Sequence, residues 1–300
     1  MNNILFEGIY SAIYALYDKD MNVMEDSVIK LIKYGEKNGL RGFYVGGNTG
    51  ECTVLPNKTR KQMLECVKAN AAPESKIMAH IGAGHLEDTD DLILHANEVG
   101  VDAIASLPPS LTSYYNANEI IEYYKHLAAL SKAPVLAYVT PVLTCDLVWF
   151  ANEILSIDNV VGLKVSIPNY YAFERIKNVN GGNINILNGP DECLCSGLIM
   201  GADGAVGTSY NIMPATACAI YDNFKKGDFK TALEHQHMLN GYIGTYLGTG
   251  IVGWKSALKF IDIDPGYTVF PAHTVTDEDM ARFEKILTEN GALAKMRELM

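Results

Sequence analysis

Residues 160–166 read Val-Val-Gly-Leu-Lys-Val-Ser, an apolar run that contains a single lysine, Lys164. A strand with one face in water alternates apolar and polar residues, whereas this run is apolar on successive positions. The pattern predicts a strand that is buried on both faces, as in parallel sheets covered by helices. The segment therefore favours an α/β fold.

Seven more runs of this kind occur along the chain, and helix-like segments separate them. The predicted strands are Phe6–Tyr14, Gly42–Val45, Lys76–Ile81, Asp102–Leu107, Pro134–Val139, Val161–Val165, Ile184–Leu187 and Gly204–Gly207. Predicted helices between them include Asp26–Asn38, Asn57–Ala71, Leu86–Val99 and Asn118–Leu130. Strands that alternate with helices indicate a parallel sheet, and eight is the number that closes a barrel. The sequence predicts a (β/α)8 TIM barrel.

The chain after about Tyr210 reads as mostly helical. The predicted helices are Pro214–Phe224, Phe229–Leu247, Trp254–Ile261 and Asp277–Glu289. This is more helix than the last barrel unit needs, so the final helices are expected to pack outside the barrel. The predicted organisation is a catalytic barrel over residues 1–225 and a C-terminal helical extension over residues 226–300, together forming one structural unit.

The amino-acid composition indicates which kinds of binding partner and which cellular environment to expect. The 300 residues carry a formal net charge of −11, which argues against nucleic acid or an anionic membrane surface as partner. No apolar run approaches the roughly 20 residues of a membrane-spanning helix, and Met1–Tyr10 lacks a signal-peptide pattern. The six cysteines are scattered, as in a cytoplasmic protein with reduced thiols. His80 and His85 have no evident third ligand, so no metal site is predicted.

Lys164 is the first candidate for chemistry. Active sites of (β/α)8 barrels lie at the carboxyl ends of the strands, where this lysine stands. Lysine is rarely buried without a reason, and desolvation favours the neutral amine that attacks carbonyl groups. The alternative is a lysine that pairs with an acid inside the barrel or extends to its rim. The residues of this strand alone leave both interpretations open.

Other strand ends carry polar residues. The glycine-rich turn at residues 46–51, which includes Asn48 and Thr49, suits a carboxylate or phosphate, although it could be only a tight turn. Tyr138 could be a core residue whose hydroxyl finds an ordinary partner. Asp191 and Glu192 could bind polyol hydroxyls or cap the following helix.

Five motifs in order resemble one family over essentially the whole chain. They are Tyr44–Glu51, Tyr138 with Pro141, Gly162-Leu163-Lys164, Asn188-Gly189-x-Asp191-Glu192 and Gly201–Gly204. The set is similar to the dihydrodipicolinate synthase / N-acetylneuraminate lyase superfamily. The resemblance implies a class-I aldolase-type lyase in which Lys164 forms a Schiff base with a 2-keto acid such as pyruvate. It also implies no external cofactor and a homotetramer built from dimers.

The resemblance also implies site roles. Tyr138 would carry the proton, and Asn48 and Thr49 would hold the carboxylate of the keto acid. The residues implied to bind the hydroxylated tail of the substrate are Ser166, Gly189, Asp191, Glu192 and Thr208.

Within the superfamily, the sequence is more similar to the N-acetylneuraminate lyases. Leu143 stands where dihydrodipicolinate synthases carry an arginine for a dicarboxylic substrate. The resemblance thus implies reversible cleavage of N-acetylneuraminate to N-acetylmannosamine and pyruvate. Three departures leave alternatives open: Asn48 replaces a hydroxyl residue, Val139-Thr140 follows Tyr138, and the loop Pro108–Ser113 lacks the usual tyrosine. The alternatives are another pyruvate-dependent aldolase, such as a 2-keto-3-deoxy sugar acid aldolase, and a non-catalytic keto-acid binder.

Overall fold

Eight parallel strands close into a barrel in chain order in the computed structural model, which describes residues 5–109, 114–272 and 275–300. The strands are β1 Gly8–Ala12, β2 Gly42–Val45, β3 Lys76–His80, β4 Ala103–Ser106, β5 Val135–Val139, β6 Val160–Val165, β7 Asn185–Asn188 and β8 Gly204–Gly207. Strand β8 pairs with β1 and completes the ring. The predicted (β/α)8 barrel is confirmed, with each strand at its predicted place.

Helices follow the strands and surround the barrel. They are α1 Glu25–Lys37, α2 Asn57–Asn70, α3 Leu86–Val99, α4 Ala117–Leu130, α5 Leu147–Leu155, α6 Tyr170–Lys177, α7 Leu194–Ile199 and α8 Pro214–Lys225. The C-terminal extension adds α9 Phe229–Tyr246, α10 Gly250–Ser256, α11 Asp277–Glu289 and α12 Ala292–Glu298. The short helix α12 was not predicted. None of the helices in the described ranges is long and apolar enough to cross a membrane.

Local sequence sets several helix starts. Asn116 accepts hydrogen bonds from the amides of residues 118 and 119, and Glu119 bonds back to the Asn116 amide, which forms a capping box ahead of α4. Asp146 caps α5 in a similar way through its carboxylate. Thr276 and Asp279 form a second capping box at α11. These caps satisfy amides that have no partner within the helix.

The two faces of the strands pack against different surroundings. Side chains that point inward fill the barrel, and those that point outward pack against the helices. The inner cluster is Phe6, Tyr10, Ala12, Tyr44, Met78, Ala103, Ala105, Leu136, Leu187 and Val206. In β6, Leu163 and Val165 belong to the outer core. This two-sided burial explains why strand β6 is apolar on successive residues.

Register places Lys164 within the inner layer. Lys164 pairs with Tyr138 of β5 on one side and with Leu187 of β7 on the other. Leu187 belongs to the inner cluster, so the three neighbouring side chains share the inner face. Strand β6 ends one residue later, at Val165. The lysine is therefore the inward-facing residue at the mouth of the barrel.

Candidate active site

Lys164 is buried at the mouth of the barrel without an acidic partner. The residue is 7% exposed, and its Nζ lies 4.6 Å from the centre of the Tyr44 ring and 4.6 Å from that of Tyr138. Among the described residues it makes no ion pair. The alternative of a lysine paired with an acid inside the barrel is therefore wrong. Nζ faces a small cavity of 160 Å³ that Tyr44, Tyr138 and Lys164 help to line.

Two hydroxyl residues in the wall of this cavity are hydrogen-bonded to each other. Thr49 Oγ1 and Thr208 Oγ1 are 2.6 Å apart, and both residues line the space in front of Lys164. Thr49 belongs to the short 3-10 helix Asn48–Gly50, which follows strand β2. The first amides of such a helix have no partner within it, and they suit an anionic group. The cavity thus combines an amine with donors for a carboxylate.

Tyr138 and Ser166 form a second hydroxyl pair at the ends of β5 and β6. Tyr138 Oη and Ser166 Oγ are 3.0 Å apart. The Tyr138 amide donates to the Tyr124 hydroxyl at 3.1 Å, which fixes the end of β5. Gly189 at the end of β7 leaves room for this pair, because a Cβ at that position would overlap Ser166 Oγ. A proton can pass between the two hydroxyls at this distance.

Asp191 is a buried carboxylate at the start of the segment after β7. Its Oδ2 accepts hydrogen bonds from the Ser209 amide and from the Ser209 hydroxyl, each at 2.6 Å. Burial raises the pKa of Asp191 from its usual value to about 6, although the Ser209 bonds oppose that rise. A Cβ at Gly207 would overlap the other oxygen, so the glycine admits the carboxylate.

The predicted alternative of a helix cap is wrong for Asp191 and Glu192. The short helix at residues 191–193 and helix α7 begin without a side-chain cap. Glu192 is exposed, and its backbone carbonyl accepts a hydrogen bond from Asn240 of α9 at 3.1 Å. Gln236 of the same helix donates to the Asp191 carbonyl at 3.1 Å. Helix α9 therefore fixes the backbone of both acidic residues.

Two larger cavities open from the mouth of the barrel. One of 640 Å³ lies on the side of Tyr138, and its lining includes His80, Thr140 and Ser166. The other, of 730 Å³, lies on the side of the acidic pair. Its lining residues are Asn48, Thr49, Gly189, Asp191, Glu192, Thr208, Asn240, Ile243, Gly244, Leu247, Gly250, Ile251 and Trp254.

The C-terminal extension supplies one wall of the larger cavity. Helix α9 contributes Ile243, Leu247 follows the end of that helix, and helix α10 contributes Ile251 and Trp254. The sequence predicts that the final helices pack outside the barrel, and in the structure residues of α9 and α10 lie at its carboxyl end. Amphipathic spacing identifies such helices in a sequence, but it does not show which end of the barrel they cover.

Sequence comparisons show which family the chain belongs to. The model of the dihydrodipicolinate synthetase family matches residues 5–290. The chain belongs to the dihydrodipicolinate synthetase family. One curated relative is the N-acetylneuraminate lyase of Clostridium perfringens, which is 30% identical over 285 residues. That alignment covers 93% of this chain and 98% of the relative.

Solved structures of family members are similar to this fold. The sialic acid aldolase of Ruminococcus gnavus superposes with a TM-score of 0.88 at 29% identity, covering 97% of this chain and 98% of that chain. A variant of the same enzyme has been solved as its catalytic lysine mutant. The Clostridium difficile protein CdNal, solved in complex with mannosamine, has a TM-score of 0.87 at 29% identity and covers 95% of this chain and 99% of that chain.

Departures from the family pattern lie around the same mouth. Asn48 lines the cavity in front of Lys164, at the position where the family usually has a hydroxyl residue. Thr140 is buried and lines the 640 Å³ cavity. In the loop that lacks the usual tyrosine, Pro108 and Pro109 line the same cavity. Residues 110–113 of that loop lie outside the described residues.

His80 and Arg60 form a buried polar pair next to the glycine-rich turn at residues 46–51. The sequence analysis did not predict this pair. The Leu107 amide donates to His80 Nε2 at 3.1 Å, and Arg60 Nη2 lies 3.5 Å from His80 Nδ1. Arg60 Nη2 donates to the His80 carbonyl at 2.9 Å. Burial, together with the Arg60 charge and the Lys164 charge, holds the pKa of His80 well below its usual range. His80 is thus neutral, and no cluster of three or more potential metal ligands occurs in the described part of the chain.

A second buried lysine, Lys255 of α10, was also missed. Its Nζ lies 3.2 Å from Glu51 Oε1 and donates to the Tyr267 carbonyl at 2.6 Å. The other Glu51 oxygen accepts a hydrogen bond from the Tyr17 hydroxyl at 2.6 Å. Glu51 ends the glycine-rich turn in a left-handed conformation, with a φ of 58°. This ion pair joins the C-terminal extension to the turn that carries Asn48 and Thr49.

Proposed function

We propose that the protein is a class-I aldolase-type lyase that reversibly cleaves N-acetylneuraminate to N-acetylmannosamine and pyruvate. The observation that carries the proposal is the environment of Lys164, whose amine has no acidic partner among the residues that the structure describes and faces a 160 Å³ cavity at a strand end. Relatives with high coverage of this chain are named N-acetylneuraminate lyase. No external cofactor is needed, because the lysine itself forms the covalent intermediate.

The proposed reaction uses the two sides of the small cavity. The Lys164 amine adds to the C2 carbonyl of the keto acid, and loss of water gives an iminium. Thr49, Thr208 and the amides after Asn48 bind the carboxylate. Tyr138 gives its proton to the hydroxide that leaves as this water, and its phenolate then accepts the proton of the C4 hydroxyl as the C3–C4 bond breaks. The bond electrons move to the iminium and give an enamine. Protonation at C3 and hydrolysis then release pyruvate and the free lysine.

The charged residues that line the two larger cavities support a substrate whose tail is neutral and hydroxylated. Asp191 and Glu192 face the 730 Å³ cavity, where their carboxylates can accept hydrogen bonds from sugar hydroxyls. Gly189 and Thr208 line the same cavity, and Ser166 would contact the tail from the 640 Å³ cavity beside Tyr138. Apart from Lys164, no lysine or arginine of the described residues lines any of the three cavities. Leu143 is packed in the outer core, so a second substrate carboxylate would find no cation there.

The proposal also covers the cellular location, the oligomeric state and the division of the chain into two parts. The chain would work in the cytoplasm as a homotetramer, a dimer of dimers, on a small-molecule sugar acid and not on nucleic acid or membranes. Residues 1–225 would form the catalytic barrel, and residues 226–300 would form the extension. The wall that α9 and α10 supply to the cavity supports treating both parts as one structural unit.

Borohydride reduction in the presence of pyruvate tests the Schiff base. Peptide mapping by mass spectrometry should locate a pyruvyl adduct on Lys164, with Lys255 unmodified in the same sample. The matched Lys164→Met variant should give no adduct. Tyr138→Phe should still form the adduct, while its cleavage rate should fall by about 10²- to 10⁴-fold, because only the proton carrier is lost. Absence of an adduct on the wild-type lysine would contradict the proposal.

A second candidate is an aldolase that acts on a 2-keto-3-deoxy sugar acid. Asn48 favours it, because this residue departs from the family pattern at the cavity in front of Lys164. Pyruvate release should be compared between N-acetylneuraminate and a series of 2-keto-3-deoxy acids. Release from N-acetylneuraminate supports the first proposal, and release only from the other acids supports the second. An adduct on Lys164 without release from any acid would identify a keto-acid binder.

A further inference from the structure

Asn48 lies where the three cavities of the barrel mouth meet. Of the described residues, it alone lines the cavity in front of Lys164, the one beside Tyr138 and the one beside Asp191. In the proposed reaction, the carboxylate and C2 of the substrate occupy the smallest of these cavities. Asn48 also lines both larger cavities, so in the proposed reaction it lies beside the next part of the substrate, around C3 and C4.

The Cys52 thiol sets the orientation of the Asn48 amide. Cys52 Sγ donates to Asn48 Oδ1 at 3.4 Å. The cysteine is itself fixed, because its amide donates to the Gly47 carbonyl at 3.2 Å and Arg60 Nη1 donates to its carbonyl at 3.5 Å. Burial raises the pKa of the Cys52 thiol, so it stays a protonated donor. Since Oδ1 accepts this bond, the NH₂ group is the part of the amide that is directed to the cavities.

We propose that the Asn48 NH₂ group is a fixed hydrogen-bond donor to the C4 oxygen of the substrate, and that Cys52 is the residue that positions it. The inference rests on the proposed function. When the C3–C4 bond breaks, the C4 oxygen gives its proton to Tyr138 and carries negative charge in the transition state. A preoriented donor stabilises that charge. A carboxamide transfers no proton at neutral pH, so Asn48 differs in kind from a hydroxyl of a proton relay.

Asn48→Leu tests the donor, because leucine has a similar shape and no polar group. The cleavage rate should be measured on the acid that the wild type cleaves best, and it should fall about 100-fold, as for loss of one oxyanion donor. The pyruvate concentration that gives half-maximal borohydride trapping at Lys164 should change by less than about threefold, because pyruvate has no C4.

Cysteine variants test the positioning role. Cys52→Ala should lower the cleavage rate by about three- to tenfold, the usual effect of one neutral hydrogen bond. Cys52→Ser should retain the wild-type rate within about twofold, since a hydroxyl also donates. Cys66→Ala is the matched control, because Cys66 is similarly buried and also contacts an asparagine amide, that of Asn70, while it lines none of the three cavities. It should match the wild type.

Each contrary result has a separate meaning. An unchanged cleavage rate in Asn48→Leu would overturn the donor role. An equal loss of trapping and cleavage would show that the amide acts on the keto acid, which overturns the assignment to C4. A Cys52→Ala variant that matches Cys66→Ala would overturn the positioning role. A wild type that traps pyruvate but cleaves no acid would overturn the proposed function and this inference with it, which distinguishes that failure from the others.

Discussion

The protein buries two lysines, Lys164 in strand β6 and Lys255 in helix α10, and their surroundings differ. Lys255 is 1% exposed and donates to Glu51 and to the Tyr267 carbonyl. Lys164 is 7% exposed, has no ion-pair partner among the described residues and lies between two aromatic rings. The Lys255 amine thus donates to two protein acceptors. The Lys164 amine has no such acceptor among the described residues and faces the 160 Å³ cavity.

The two buried acids differ in the same way. Glu51 is paired with Lys255 and accepts a hydrogen bond from the Tyr17 hydroxyl, whereas the donors to Asp191 among the described residues are the amide and hydroxyl of Ser209. Burial lowers the pKa of Lys255, and the Glu51 charge opposes that shift. At Asp191 burial dominates and raises the pKa to about 6. The structural pair is electrostatically compensated, while the groups of the proposed site are not. Uncompensated buried groups are typical of sites that do chemistry.

The largest effect is expected from removing the lysine without a partner. Lys164→Met should lower the cleavage rate by about 10⁴-fold or more, because no Schiff base can form. The free energy of unfolding should rise by about 1 kcal/mol, since the substitution removes a buried polar group and leaves no acid unpaired. Steady-state kinetics and urea unfolding measure the two quantities. A marked loss of stability would show that Lys164 has a structural partner.

Removing the paired lysine should have the opposite effect on stability. Lys255→Met leaves the Glu51 carboxylate buried without its cation, which should lower the free energy of unfolding by about 3–5 kcal/mol. The fraction that stays folded should still form the pyruvate adduct on Lys164. Lys259→Met, an exposed position one turn later, is the control and should change stability by less than about 0.5 kcal/mol. An equal effect of both variants would remove the distinction between the lysines.

The barrel and Lys164 could be predicted from sequence because their signals are local. Apolar runs mark strands buried on both faces, and a single lysine in such a run at residues 160–166 is conspicuous. The glycine-rich turn and the pair Asp191–Glu192 stand at strand ends, which a barrel brings together at one mouth. Their proximity therefore follows from the topology alone.

Long-range contacts could not be predicted in this way. Lys255 lies in a helical segment with ordinary spacing, and its partner Glu51 is distant in sequence. The cavity wall formed by Ile251 and Trp254 depends on how the extension docks on the barrel. The same holds for the bond between Ser209 and Asp191, which excludes the predicted helix cap. Pairing across the fold is set by packing geometry, which periodicity does not encode.

The next largest expected effect is the contribution of Asp191 to the pH dependence of the free energy of unfolding. This acid has a pKa of about 6 in the folded protein against an ordinary value of 3.8, so the folded state binds the proton more tightly. Wild-type stability is therefore lost as pH rises from about 4 to 6, and the loss is complete above that range. Asp191→Asn removes this dependence. Its free energy of unfolding relative to the wild type should increase by about 2 kcal/mol between pH 4 and pH 7.

Urea unfolding at several pH values measures this difference. Asp228→Asn is the control, because hydrogen bonds from Thr231 lower the pKa of that exposed carboxylate. The difference in the free energy of unfolding between Asp228→Asn and the wild type should change with the opposite sign, and mainly at the acid end, near pH 4. A flat difference for Asp191→Asn would show that the buried acid is compensated after all, and the contrast with Glu51 would then disappear.

The smallest expected effect is the coupling between Asp191 and Lys164, which two double-mutant cycles compare with the coupling between Glu51 and Lys255. In a double-mutant cycle, Glu51→Gln and Lys255→Met should show an interaction free energy of about 3 kcal/mol, because the cost of Lys255→Met comes from the unpaired Glu51 carboxylate and is absent once that residue is glutamine. The parallel cycle with Asp191→Asn and Lys164→Met should give less than about 0.5 kcal/mol, since no ion pair joins them. Urea unfolding at pH 7 of all the variants provides the values. Equal couplings in the two cycles would mean that Lys164 is held by a charge as Lys255 is, and its availability as a nucleophile would need another explanation.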